Sequence, residues 1–419
     1  VKAASGREQA SSAPNLRWMI TALGIAQICS WGSLFYSFPL IAEAMRSDLG
    51  WAKPDLYLAV TTGLVLAGIA AFPVGAAIDR GHGRFVMTGA SLAAGLLLAA
   101  WSQVGSLPAF YLIFAAIGGL QAATLYEPAF AVIARRAGPD GARRGITALT
   151  LWGGFASTVF VPFIQLLIDG GGWRQALLVL AGVNIVICAT LYFVAIDPEK
   201  DRAPASRAVT GVASLSGASA VSRAMRLPVF WALALALVAY AGAFSVLTFH
   251  LYPILLEKGL DAAAVVAVIA VIGPAQVAGR VLVWLLMAEA PVRRIGSFIV
   301  PIFPLAAAGF AFAPPDFFVL AAIALGYGAA NGMITIVRGL AVPEMVDRNA
   351  YGAINGALTA PMHLVQAVAP LGAAALWAHD GSYDVVLVVV IAGAVVLAVS
   401  FWTAALLASS RTQARDETG

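Results

Sequence analysis

Twelve times along the chain, an apolar run long enough to cross about 30 Å of hydrocarbon gives way to a polar connection. The runs fall at 18–42, 55–78, 85–104, 108–133, 145–168, 173–196, 228–252, 262–287, 294–314, 316–340, 352–377 and 384–408. In lipid, every backbone N–H and C=O must be paired within the protein, which restricts such runs to helices packed as bundles. The expected fold class is an all-α membrane protein of twelve transmembrane helices. Composition agrees, since 61% of residues are hydrophobic and 11% charged, against about 25% charged in a soluble domain. The formal net charge of +4 is spread over short connections, so no nucleic-acid partner is expected and the surrounding partner is a lipid bilayer.

The connections set the organisation. Residues 1–16 form a polar tail without the apolar core of a secretory signal. An N-terminal six-helix bundle is expected over 17–197, a linker rich in Ser, Ala, Arg and Pro over 198–227, a C-terminal six-helix bundle over 228–408, and a second tail over 409–419. Arg80, Arg84, Arg135, Arg136, Arg143, Arg144, Arg293, Arg294 and Arg338 fall on the side of the termini, whereas only Arg46, Lys53, Arg174 and Lys258 fall opposite. This asymmetry predicts cytoplasmic termini in a cell (inner) membrane. The halves also echo each other. Asp169-Gly170-Gly171-Gly172-Trp173 is matched by Asp380-Gly381-Ser382-Tyr383, and Gly145-Ile146-Thr147-Ala148-Leu149-Thr150 by Ile354-Asn355-Gly356-Ala357-Leu358-Thr359. Landmarks about 210 residues apart predict a six-helix unit duplicated in parallel orientation.

Arg280 lies inside the eighth run. A guanidinium stays ionised at physiological pH, and placing it mid-membrane costs about 2.5–3.5 kcal/mol or more. Two readings compensate that cost: a fixed partner, such as Glu127 or a neighbouring carbonyl, or a travelling anion that makes Arg280 a substrate anchor. Cys29 and Cys188 sit in apolar runs without metal-ligand spacing and read as packing residues. No phosphate-binding G-x-x-x-x-G-K-[ST] is present, and the four histidines form no H-x-x-x-H pair, so no ATP hydrolysis, cofactor or metal is expected and the chain does not read as an enzyme.

The connection after the second run reads Gly75-Ala76-Ala77-Ile78-Asp79-Arg80-Gly81-His82-Gly83-Arg84. It is similar to the G-x-L-A-D-R-x-G-R-K signature of the major facilitator superfamily. Gly75, Asp79, Arg80 and Arg84 match, while His82 stands at the loop glycine and Gly83 follows one place late. The resemblance implies that Asp79, Arg80 and Arg84 close the cytoplasmic side. Within that superfamily, Tyr36-Ser37-Phe38-Pro39-Leu40 resembles the Y-x-F-P-K stretch of the monocarboxylate carriers, and Gly273 to Arg280 resembles the G-Y-x-D-x-x-A-R stretch they share with the oxalate/formate antiporter branch. The resemblance implies that Arg280 holds a carboxylate. Leu40 replaces a lysine and Gln276 the aspartate tied to proton coupling, so that proton relay is expected to be absent.

Carriers of this type bind their solute near the midplane, where intramembrane polar groups turn inward. Gln276 lies one turn before Arg280, and Gln366 almost one turn after His363. His363 donates to an anion or links transport to protons. Tyr36, Gln121, Tyr126, Trp152, Tyr327 and Asn331 complete the substrate-binding candidates, with core packing the competing role for each. Glu127, Arg338 and Glu344 read as an inner gate or as helix-end salt bridges. The expected function is secondary transport of small organic anions, mono- or dicarboxylates, by alternating access of a monomer, with protons or a counter-anion as the coupled species. The alternative is a proton-coupled exporter of a drug-like or siderophore-like compound. Against it, span four reads Ala115-Ala116-Ile117-Gly118-Gly119 and lacks the arginine typical of proton-coupled drug antiporters.

Overall fold

The computed structural model describes residues 2–199, 221–287, 290–346 and 351–416, without side chains at 2–15, 72, 79, 138–143, 284, 343, 351–353, 356 and 410–416. Most of the expected linker, at 200–220, and the Asp79 side chain lie outside the described residues. Every regular element among the described residues is helical. The chain divides into two compact units, Val1–Arg207 and Ala208–Gly419.

In the first unit, span one is Leu16–Leu49, span two Lys53–Ala77, span three Arg80–Trp101, and span four starts at Leu107–Thr124. Span four breaks at Leu125 (φ −87°, ψ −149°) and resumes in the helix Tyr126–Gly153. The break is stabilised by its neighbours. Gln27 Nε2 donates to the carbonyls of Thr124 (2.8 Å) and Leu125 (3.1 Å), and the Tyr192 phenol donates to Thr124 O at 2.9 Å. The helix after the break doubles back on itself. A Cβ on Gly145 would meet the Ile133 side chain at 2.6 Å, and one on Gly153 would meet the Tyr126 ring. On a straight helix these residues would lie about 18 and 40 Å apart. Two antiparallel legs therefore close span four and open span five. Arg144–Ala195 carries spans five and six, separated at Gly172 (φ +77°).

In the second unit, span seven is Pro228–Glu257, span eight Ala262–Ala270 with Ile272–Leu286, and span nine Val292–Ile299 with Ile302–Phe312. Spans ten, eleven and twelve are Phe317–Ala341, Tyr351–Asp380 and Asp384–Asp416. Asp261 and Asp316 cap spans eight and ten, accepting from Ala264 N (2.8 Å) and Val319 N (2.9 Å). Ten helices among the described residues meet the length and composition needed to cross a membrane. One of the ten, Arg144–Ala195, is two spans in tandem, and Tyr351–Asp380, interrupted by Pro361 and Pro370, supplies the remaining span. The twelve-helix fold follows.

The units repeat one packing scheme. Span one packs on five and six, two on four, and three on four and six; span seven packs on eleven and twelve, eight on ten, and nine on ten and twelve. The turns repeat as well. Gly50 and Gly259 follow spans one and seven, Gly172 and Gly381 turn the chain before spans six and twelve, and each pair is 209 residues apart with positive φ. Glycine suits these turns because an L side chain is strained there. Spans two and four meet backbone to backbone, with Gly118 against Gly63, and spans eight and ten do the same, with Gly332 against the Gln276 carbonyl and Gly328 against Ile272. Helices in lipid gain little from hydrophobic exclusion, and close approach at small residues provides the contact instead.

Candidate functional site

The glycine seam between spans eight and ten fixes where Arg280 goes. With Gly279 against the Ala329 carbonyl and Gly332 against Gln276, no side chain separates the helices. The half-buried Arg280 directs Nε toward Gly332 O at 3.4 Å, a carbonyl that also accepts from Thr335 Oγ1 at 2.6 Å. Gln276, one turn earlier, is half-buried in the same seam. The structure thus brings the two span-eight candidates beside Asn331 on span ten.

Asn331 is 2% exposed and Tyr240 4% exposed. The Tyr240 phenol donates to Asn331 Oδ1 at 3.0 Å, and Asn331 Nδ2 donates to Tyr327 O at 3.0 Å. Arg338 extends from span ten over Tyr240, with Cζ 5.7 Å from the ring centroid. Behind these polar groups is an aromatic wall. Phe303 stands edge-on to both Tyr240 (5.6 Å) and Tyr327 (6.2 Å), and Phe310 edge-on to Tyr327 (6.1 Å). Sequence reasoning missed Tyr240, which looks like one more large residue in an apolar helix. A hydroxyl one turn before Phe244, with which its ring stacks at 5.6 Å, was the available signal.

Other candidates lie elsewhere. His363 is exposed on span eleven and forms no hydrogen bond with the Arg280 group among the described residues. Gln366 is half-buried, and its backbone carbonyl accepts from Ser245 Oγ at 2.7 Å. In the first unit, Tyr36 lies in a wide π-helical turn, Gly32–Tyr36, and Gln121 Nε2 donates to Leu34 O in that turn at 2.7 Å. Tyr126 stacks on Phe130 (5.2 Å) and tilts against Trp31 (4.9 Å), which also neighbours Tyr36 (6.3 Å). Trp152 packs on Gly24.

The charged candidates separate. Glu127 is exposed in the first turn after the span-four break. Glu344 Oε2 accepts from Val292 N at 2.8 Å and so caps span nine, and no ion pair joins it to Arg338 among the described residues. Arg80 is exposed, while Arg84 places Cζ 3.8 Å over the Phe193 ring of span six. Within the signature connection, Gly81 takes the left-handed turn at φ +91°. His250, at the far end of span seven, is fully buried, with Nε2 2.9 Å from Pro370 O and Nδ1 2.9 Å from the Tyr383 hydroxyl.

Two repeated six-helix units, each built to lie in lipid, with an arginine inside one of the spans, define a multi-pass membrane transporter rather than an enzyme. Residues 23–370 match the family model of the Major Facilitator Superfamily, and the chain belongs to that family. It is 32% identical over 275 residues to Monocarboxylate transporter 11 of Homo sapiens, covering 62% of this chain and 54% of that protein, or about half the relative's length. It is 27% identical over 378 residues to Monocarboxylate transporter 13 of Bos taurus, covering 85% of this chain and 80% of the relative. Among solved structures, a mutant of the nucleoside transporter NupG shares the fold with a TM-score of 0.75 at 16% identity, covering 93% of this chain and 99% of that one. A bacterial homolog of the human lysosomal transporter Spinster, inward-facing and unoccupied, gives 0.65 at 12% identity, covering 94% and 95%.

Proposed function

We propose that the protein is a secondary transporter of small organic anions, carboxylates in particular, working by alternating access with Arg280 as the carboxylate anchor. The observation that carries this reading is an intramembrane guanidinium set in a seam beside three further hydrogen-bonding side chains, Gln276, Asn331 and Tyr240. A planar fork of N–H donors suits a carboxylate bidentately. The names of the two relatives point to the same class of solute. Because Gln276 is not ionisable, coupling falls to exchange with a counter-anion or to protons through His363. Asp79, Arg80 and Arg84, with Glu127, Arg338 and Glu344 toward the arginine-rich ends, act in gating. The protein works as a monomer in the cell inner membrane, with cytoplasmic termini and with six-helix bundles at 17–197 and 228–408 joined by a linker at 198–227.

The purified protein in proteoliposomes is expected to take up labelled monocarboxylates and dicarboxylates saturably, and Arg280→Ala to abolish that uptake while keeping the thermal transition of the parent. Undiminished uptake by the variant would remove Arg280 from the site. A second reading, a proton-coupled exporter of a drug-like or siderophore-like compound, draws on the aromatic group of Trp31, Tyr36, Tyr126 and Phe130. Thermal stabilisation by bulky neutral compounds and by no carboxylate would favour it.

A further inference from the structure

The position of Arg338 has a chemical consequence that anchoring by Arg280 alone does not use. Arg338 lies in the last turn of span ten, where a basic side chain ordinarily turns to water or to the last carbonyls of its own helix. Here it reaches across to span seven and sets its guanidinium over the buried Tyr240 ring, with Cζ 5.7 Å from the centroid. The Tyr240 phenol donates to Asn331 Oδ1, and Asn331 in turn donates to Tyr327 O. Tyr240 is thereby fixed from span ten, and its ring is the surface over which the guanidinium lies.

Gly332, the next residue after Asn331, offers its carbonyl to Arg280 Nε. Tyr240, Asn331 and Gly332 thereby lie between two guanidiniums on facing helices of one unit. Two permanent positive charges on facing helices repel each other, and an anion that meets both relieves that repulsion. The acid nearest along the chain, Glu344, is committed to Val292 N, and no carboxylate among the described residues forms an ion pair with Arg338.

We propose that Arg338 is a second anion-contacting residue of the Arg280 site, and that the two guanidiniums together select a short solute bearing two carboxylates over a singly charged one. The inference rests on the reading of Arg280 as carboxylate anchor. Each fork takes one carboxylate, and the fixed Tyr240 ring sets the direction from which the second is met.

Proteoliposomes of the full chain loaded with unlabelled substrate, and challenged with labelled succinate or with butyrate, test it. The parent should favour succinate, and Arg338→Gln should lose about tenfold or more of succinate kcat/KM, the effect of one charge-assisted contact, with butyrate changed little. Arg338→Lys, which keeps the charge and loses the fork, should recover part of the preference. It also serves as the measured variant if Arg338→Gln does not accumulate. A succinate preference unchanged in both variants overturns the role of Arg338. Butyrate uptake without succinate uptake by the parent overturns the dicarboxylate selection and leaves the Arg280 anchor intact, whereas uptake of neither anion overturns both.

Discussion

Tyr240 ties the candidate site together, because its one proton goes to Asn331 and its ring lies under Arg338. Tyr240→Phe should leave Asn331 Oδ1 buried without a donor and lower stability by about 1 kcal/mol, the scale of one intramembrane hydrogen bond, read as a shifted thermal transition in detergent. Residue type and depth made Arg280, Gln276 and Asn331 legible from sequence. Arg338 was misleading in one respect. Its place near a helix end suggested a partner in Glu344, and only the tertiary fold reveals that its side chain runs to span seven. Gln121 was legible as a buried polar group but not as the donor to Leu34 O, because that carbonyl is presented by a wide turn that no residue pattern announces.

Span eleven shows how a helix tolerates proline in lipid. Pro370 has no N–H for the carbonyl of Gln366 four residues earlier, and Ser245 on span seven supplies the missing donor at 2.7 Å. His250 binds the Pro370 carbonyl, which only accepts, so Nε2 carries the proton and Nδ1 accepts from Tyr383. Ser245→Ala should therefore destabilise the parent by about 1 kcal/mol and have little effect in a Pro370→Ala background, where the restored N–H serves Gln366. Strict additivity of the two changes in thermal unfolding would show that the hydroxyl has no such duty. On span ten, Gly332→Ala would place a methyl on the Gln276 carbonyl. Neither backbone can yield easily, and a loss of about 1–3 kcal/mol is expected, measured in the same unfolding assay. Hydropathy made the existence of these helices legible because lipid demands length. It could not reveal the break at Leu125 or the fold-back of Tyr126–Gly153, since Gln27, Tyr192 and Ile133 stabilise those bends from distant parts of the chain.

Each unit ties together one corner with the same chemistry. Asp48 at the end of span one accepts from the Trp173 indole at 3.0 Å and from Arg174 at 2.5 Å. Glu257 at the end of span seven accepts from the Trp377 indole at 2.7 Å and from Tyr383 N at 2.8 Å. Asp48→Asn and Glu257→Gln should each lower the unfolding temperature, and the double variant should show the sum, since the corners share no partner. A marked departure from additivity in thermal scans would contradict independent corners. The duplication was legible because its landmarks are turn residues, constrained by backbone geometry whatever their surroundings. The acids were not legible as partners, because nothing in a helix-end carboxylate specifies the indole it will meet. A glycine seam such as that between spans eight and ten also has no interleaved side-chain teeth to slip from one notch to the next, so those helices behave as a single plank. If Arg280 and Arg338 grip a solute as proposed, charges mounted on the plank's two sides would keep a constant spacing, a fixed gauge that admits acids of one length and refuses those that are longer.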